Sequence, residues 1–299
     1  MLNGFDPSAP RFLADLDRIQ ERSLRAERQI SSGMRVESAS DDPGQVIEII
    51  RLKSRLTNNT QVQTNLTRVQ SQVNTAEAAM RQAVTLMERA RVLAAENAST
   101  GAPNRPAMAI EAHELHDQLV ALVSTAAQGQ YVFNGDGPEV APYVSDWTQP
   151  AGVRFVGASA TNSALVADEN GTTFSVSKTA SELFDAPGDN NAFQALFDLT
   201  KALENDSEIG IATVAPMIAT VLDHLNAQLT FYGNAQNRIT AAADSAKKSG
   251  IAMKGDLSRL EEADIPAAIL ELNSSQVHLQ AALSAHAKAS KATLFDFLG

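Results

Sequence analysis

The sequence predicts a mainly α fold: a long antiparallel helical hairpin or coiled-coil rod, with its terminal helices paired and a small β-rich insert in the middle. Three observations predict it. Apolar residues recur in alternating steps of four and three through both ends of the chain. Short β-prone runs are confined to the middle. Aromatics make up only 5% of the 299 residues, with a single Trp, so a large globular core is not the natural expectation; the Ala, Leu, Val and Ile that dominate suit helices packed along seams.

The first seam runs through Phe12, Leu16, Ile19, Ser23, Ala26 and Ile30 and breaks at Gly33. An elbow follows, "SGMRVESASDDPG" (32–44), whose end reads as a helix start. Asp42 is placed as N-cap, Pro43 at the first helical position, and Gln45 three residues past the cap, where its side chain could reach back. A second seam then holds Val62, Leu66, Val69, Val73, Ala76, Met80, Ala83, Met87, Ala90 and Ala94, and stops at the loop-like "NASTGAPNRP". Pro106 fits the first position of a third helix, with Met108, Ala112, Leu115, Leu119, Leu122 and Ala126 on one face.

Between 131 and 190, "VRFVG", "SALVA" and "TTFSVS" are short β-prone runs separated by Gly, Asn, Asp and Pro, and "NGDG" and "DENG" read as hairpin turns. "NAFQALFDLTKALEN" returns to helix. The long C-terminal seam runs Ile218, Leu222, Leu225, Leu229, Tyr232, Gln236, Ile239, Ala243, Ala246, Gly250, Met253, Leu257 and Leu260. "EEADIP" (261–266) disturbs it, and it resumes as Ile265, Ile269, Leu272, Gln276, Leu279 and Leu283 before "TLFDFLG". Each end thus has one phase break, near 33–44 and near 261–266. An intramolecular bundle gives the same stripe as an assembly seam. For the outermost segments, 12–30 and 265–298, two isolated helices are marginal in water, so their apolar faces suit neighbouring chains.

Charge is unevenly placed. Residues 101–215 hold 15 Asp/Glu against 4 Lys/Arg, whereas 1–100 (12 against 13) and 216–299 (8 against 7) are balanced, for a net charge of −11. An acidic middle without a basic patch argues against nucleic acid and anionic membrane. No apolar run approaches the ~20 residues needed to span a bilayer, and "MLNGFDPSAPRF" lacks the basic and apolar regions of a cleavable signal. The absence of cysteine excludes disulfide and thiolate chemistry.

Catalysis finds no foothold. "AHELHD" puts His113 and His116 three apart, one short of HExxH, so half a metal site competes with a solvated polar face, the plainer reading. Neither acidic turn has the oxygen spacing of a calcium loop. There is no Gly-rich phosphate loop, GxSxG or Cys nucleophile. The expectation is a protein that is no enzyme and has no cofactor or metal.

Several ordered motifs resemble the bacterial flagellin superfamily. "ISSGMRVESASDDPG" (30–44) is similar to its N-terminal pattern, "VNTAEAAMRQAVTLMERARVLAAENAS" (73–99) to the helix that follows, "AQNRI" (235–239) to the return helix, and residues 258–298 to the C-terminal region. "GQYVFNGDG" (129–137) and the "LFDFL" ending resemble the hook–filament junction branch of that superfamily; the first dozen residues depart from the usual opening. The resemblance implies a terminal coiled-coil assembly domain (1–43 plus 262–299), a helical rod domain (44–130 plus 191–261) and a small β-rich outer domain (131–190). It places an assembly interface on Phe12, Leu16, Ile19, Ile30, Ile269, Leu272, Leu279, Leu283, Leu294, Phe295, Phe297 and Leu298. It places an inter-domain hinge on Gly33, Asp41, Asp42, Pro43, Glu262, Asp264 and Pro266.

The implied function is that of an extracellular flagellar subunit that connects the hook-side junction to flagellin and templates the filament. It would be exported through the flagellar secretion channel without a cleaved signal. Implied partners are further copies in head-to-tail helical assembly, the preceding hook-associated junction protein, flagellin, and a cytoplasmic export chaperone on the C-terminal helix, with no nucleic acid and no membrane insertion. A short flagellin and a cytoplasmic helical adaptor are the alternatives. "MERARVLAAE" (87–96) also resembles the flagellin segment read by a vertebrate innate receptor, with Arg89, Leu93 and Glu96 near the relevant positions; on a plain helix face Arg89 and Glu96 are solvated.

Overall fold

A computed structural model describes residues 8–38, 40–99, 104–135, 139–157 and 165–296, with backbone only for 8–9 and 289–296. Among the described residues seven α-helices and three small strand pairs follow one another: α1 (Ser8–Ser32), α2 (Pro43–Asn97), α3 (Arg105–Val123), β1 (Ala126–Ala127), β2 (Gln130–Tyr131), β3 (Tyr143–Ser145), β4 (Val153–Phe155), β5 (Leu165–Ala167), β6 (Thr173–Ser175), α4 (Ala180–Phe184), α5 (Ala192–Glu204), α6 (Glu208–Glu261) and α7 (Ile265–Asp296). The fold is mainly α with small antiparallel β pairs, as the sequence predicts. Two compact units are distinguished, residues 1–58 with 250–299, and residues 59–249. Their limits fall inside α2 and α6, away from the breaks in helix phase, where α2 begins and α6 ends.

In the first unit α1 and α7 pair antiparallel within one chain, with the Phe12 ring stacked on His286 at 4.1 Å and Arg22 facing Glu271 at 3.3 Å. Ala26 is buried on α1, and Phe12, Leu16, Ile19, Ser23 and Ile30 are half-buried. On α7 the inward face differs from the expected seam. Ala268 and Ser275 are buried and Leu272, Leu279 and Ala282 half-buried, whereas Ile269, Gln276 and Leu283 are exposed. Small residues at 268 and 275 let the backbones approach, and the buried stripe drifts by one position relative to the bulky residues.

The second unit owns the core. The α2 stripe from Leu66 to Ala94 is buried along the predicted seam, against Leu115 and Leu119 of α3, Phe193, Leu196 and Leu199 of α5, and Ile211, Ile218, Leu225 and Tyr232 of α6. By length and composition α6 contains a stretch apolar enough to cross a membrane, although no contiguous apolar run was expected; in the fold Ile211, Ile218, Val221, Leu222 and Leu225 of this helix are core residues. Leu93 is likewise fully buried, and Arg89 pairs with Glu111 at 2.5 Å, so of the three receptor-like positions Leu93 is closed to solvent. Helix α3 begins one residue earlier than expected: Arg105 leads and Pro106 is second, because the buried Arg105 guanidinium donates to the carbonyls of Asn97, Ser99 and Asp206 and pairs with Asp206 at 2.6 Å.

The β insert is three separate antiparallel pairs, β1–β2, β3–β4 and β5–β6. The β1–β2 turn places Gln128 (φ 53°) and Gly129 (φ 78°) in the left-handed region that a tight two-residue hairpin requires. "DENG" is the hairpin turn expected: Asp168 Oδ1 accepts from Asn170 and Thr172 N–H, and Gly171 has φ 81°. Of "NGDG", Asp136 and Gly137 lie outside the described residues. Helix α4 was not foreseen; it starts at a capping box in which Thr179 Oγ1 accepts from Glu182 N–H and Glu182 accepts from Thr179 N–H.

"AHELHD" is only half a solvated face. His116 is fully buried, its Nε2 is 2.9 Å from the Ala151 carbonyl, and its Nδ1, 3.6 Å from Asp117 Oδ1, has no hydrogen bond among the described residues. His113 stays partly exposed and stacks on Trp147 at 3.9 Å. Among the described residues no three His, Cys, Asp or Glu gather to hold a metal.

Two predictions follow from this core. Leu119→Ala, at a fully buried site, should cost about 2–5 kcal/mol in chemical denaturation followed by circular dichroism. Burial holds the His116 imidazole below its ordinary 6.5, while the Ala151 carbonyl and the Asp117 carboxylate pull it up and His113 pulls it down. A depressed folded value means that the unfolded chain binds the proton first. The His116 contribution is therefore complete above 6.5 and is lost as the pH falls through 6.5 toward the folded value. The denaturation midpoint should drop across that window, and His116→Gln should flatten the drop.

Candidate assembly surface

The elbow is built by a local rule at each residue. Gly33 ends α1 with φ 72°, a left-handed conformation natural to glycine, and its N–H donates to the Gln29 carbonyl at 2.9 Å. Asp41 Oδ2 accepts from the N–H groups of Glu37 and Ser38 and from Ser38 Oγ, which holds the turn and, led by the Ser38 backbone bond, keeps its carboxyl below the ordinary carboxylate range. Asp42 caps α2, Oδ1 accepting from Gln45 N–H at 3.2 Å, and Pro43 is the first helical residue. The Gln45 side chain does not reach back; its Oε1 accepts from Arg35 at 2.6 Å instead.

The returning segment mirrors this chemistry. Asp264 Oδ1 accepts from Ala267 N–H at 3.0 Å, capping α7, with Pro266 in its first turn, where a missing N–H costs nothing. The two segments are hydrogen-bonded to each other. Arg35 N–H donates to the Glu261 carbonyl at 2.7 Å, Ala263 N–H donates to the Gly33 carbonyl at 2.9 Å, and Met34 and Glu262 form an antiparallel bridge. All seven residues read as the hinge, Gly33, Asp41, Asp42, Pro43, Glu262, Asp264 and Pro266, therefore lie in these two segments, joined by backbone bonds. Two further residues complete the elbow: Val36, 4% exposed, and Arg35, whose guanidinium also donates to the Leu260 carbonyl at 2.6 Å. The Arg in "SGMRV" was a visible signal, since an Arg among elbow carbonyls has several acceptors within reach.

The predicted interface residues divide. Phe12, Leu16, Ile19, Ile30, Leu272 and Leu279 are half-buried, while Ile269 (45% exposed) and Leu283 (50%) face outward. Leu294 and Phe295 lie on α7 where only the backbone is described, and Phe297 and Leu298 lie outside the described residues. Further large apolar side chains of the same unit stand in solvent: Leu13, Leu24, Ile47, Ile50, Leu270 and Val277, with Leu270 at 70% exposure. Exposed apolar area concentrated in one unit is the mark of a contact surface.

The family model of the bacterial flagellin N-terminal helical region matches residues 9–137, and that of the bacterial flagellin C-terminal helical region matches residues 216–298. Together they span most of the sequence, and the chain belongs to the bacterial flagellin family. Flagellar hook-associated protein 3 of Escherichia coli (strain K12) is 26% identical over 127 residues, 42% of this chain and 40% of that protein's length. Two solved structures share the fold: a Vibrio parahaemolyticus protein assigned to the flagellar hook-associated proteins (TM-score 0.65, 17% identity, covering 74% of this chain and 100% of that one), and hook-associated protein 3 of Legionella pneumophila (TM-score 0.61, 14% identity, covering 71% and 98%). The chain is thus a flagellin-family protein of mainly helical fold, similar over part of its length to hook-associated protein 3.

Arg35→Ala removes charge-assisted bonds to Leu260 and Gln45. The expected loss is about 1–2 kcal/mol once partial exposure is discounted, read as faster amide exchange at 261–263 with helix content retained. Gly33→Ala meets open space, so its cost, about 1–2 kcal/mol, is conformational alone.

Proposed function

We propose that this chain is the hook–filament junction subunit, connecting a hook-side junction protein to flagellin and templating the filament by head-to-tail contacts. Extracellular placement, export through the flagellar channel without a cleaved signal, and a cytoplasmic chaperone on the C-terminal helix belong to the same reading. So do the three-part organisation, with an assembly domain at 1–43 plus 262–299, a rod at 44–130 plus 191–261 and an outer part at 131–190, and the hinge role of the elbow. The observation that carries it is the exposed apolar set on the α1–α7 pair, Leu13, Leu24, Ile269, Leu270, Val277 and Leu283. A thin two-helix pair with this much apolar surface gains stability when further helices cover it. Heterologous contacts of this kind build open helical assemblies in place of closed dimers.

Immunogold labelling of intact cells tests the placement. A punctum at the hook–filament boundary is expected; label along the whole filament would make the chain a flagellin, and label confined to the cytosol an adaptor. Leu270→Asp with Val277→Asp tests the surface. Both side chains are exposed, at 70% and 63%, so the subunit should fold and be secreted, yet each buried carboxylate would cost a contact several kcal/mol. Cells should shed or lack filaments; normal attached filaments would show that this face makes no contact.

A further inference from the structure

From the structure we infer a site of spontaneous covalent modification at Asn170–Gly171, where the asparagine converts to aspartate and isoaspartate, while the chemically equivalent Asn134–Gly135 is protected by the fold. The reaction needs an asparagine side chain free to turn and a following residue that lets its backbone nitrogen approach. The Gly171 nitrogen attacks the Asn170 side-chain amide carbon, a C–N bond forms, ammonia leaves with the proton from the Gly171 nitrogen, and a five-membered succinimide results. Water then adds at one of the two ring carbonyls and opens the ring, leaving either aspartate or, with the main chain routed through the side-chain carbon, isoaspartate. No oxidant or enzyme enters.

The two Asn–Gly pairs stand in opposite surroundings. Asn170 is exposed at the β5–β6 tip, and among the described residues its side-chain amide has no hydrogen-bond partner. The space beside Gly171 is open for 4 Å, and φ 81° is a conformation that glycine holds without strain. Ring closure gives up one turn bond, from Gly171 N–H to the Asp168 carbonyl at 3.1 Å, while Thr172 N–H to Asp168 Oδ1 still holds the turn. Asn134, by contrast, is 2% exposed; its side-chain amide donates to the Val140 carbonyl at 2.7 Å, and its Oδ1 lies against Gly157. Rotation into the attacking geometry would break a buried bond. A third Asn–Gly pair, Asn3–Gly4, lies outside the described residues.

The position gives the modification a consequence. The neighbouring Glu169 ties the hairpin to the helices: Oε1 accepts from Ser245 Oγ at 2.5 Å on α6, and Oε2 accepts from Asn59 Nδ2 at 3.4 Å on α2. A new carboxylate at 170 stands beside Glu169 and Asp168, and like charges repel. The isoaspartate form also lengthens the turn by one main-chain atom. Both loosen the clasp.

The test incubates the purified full-length protein, folded and in denaturant, in warm, mildly alkaline buffer. Peptide mass spectrometry then follows amide-to-acid conversion, with isoaspartyl methyltransferase to mark isoaspartate. In the folded protein Asn170 should convert roughly tenfold or more faster than Asn134, a barrier difference of about 1.4 kcal/mol; in denaturant the two rates should converge. Equal folded rates, or an Asn170 that stays amide while the denatured chain converts, would overturn the site. Hydrogen exchange across 165–175 should rise in the converted fraction, and unchanged protection there would overturn the loosening.

Discussion

Two backbone hydrogen bonds, Arg35 N–H to the Glu261 carbonyl and Ala263 N–H to the Gly33 carbonyl, hold the outgoing and returning chain together at one level. Loop-closure entropy grows only with the logarithm of length. Joining residues 225 apart, as Arg35 and Leu260 are, therefore costs about 2–3 kcal/mol more than closing a loop of about ten residues. Once closed, the contact fixes the register in which α1 meets α7: each helix leaves the elbow from a capped or glycine-ended turn, so Phe12 arrives opposite His286 and Arg22 opposite Glu271. A shared bridge also means that neither break in helix phase can shift alone.

Long periodic segments were the legible part of the fold. The α2 stripe from Leu66 to Ala94 was readable because a buried helix face repeats the same choice every third or fourth residue. Caps were readable where a short acceptor precedes a proline, as at Asp42–Pro43. The face that α7 turns to α1 was less legible because its stripe mixes bulky and small residues. Periodicity puts Ile269 and Leu283 on one seam with Leu272 and Leu279, but within the α1–α7 pair close approach favours Ala268 and Ser275, which hydropathy does not mark. His116 was misread for a related reason: a charged neighbourhood in sequence, Glu114 and Asp117, says nothing of the aromatic residues that fold over the ring from Trp147 and Phe193.

The site divides along the same line. Local chemistry disclosed Gly33 and Asp42, each of which acts within a few residues of itself, and the family resemblance supplied Asp41. Arg35 acts across the chain, on Leu260 and Gln45, and no spacing rule announces a partner so remote. Glu169 is a similar case. The acidic "DENG" turn looked purely local, yet its carboxylate reaches α2 and α6, and Arg238 of α6 lies 4.4 Å over the Phe174 ring of the same hairpin. The β5–β6 hairpin is thus held by polar and cation–π contacts as well as by Phe174 and Val176 in the core.

Trp147, the single Trp, stacks on His113 and Phe197, with the Lys201 ammonium 5.8 Å above its ring. The three tyrosines, Tyr131, Tyr143 and Tyr232, also belong to residues 59–249. The unit that carries the exposed apolar helices contains no chromophore beyond phenylalanine. Tryptophan and tyrosine emission therefore reports on the β1–β2 and β3–β4 hairpins and the central core. Polymerisation through α1 and α7 would be spectroscopically dark, and a fluorescent probe would have to be introduced there to follow it.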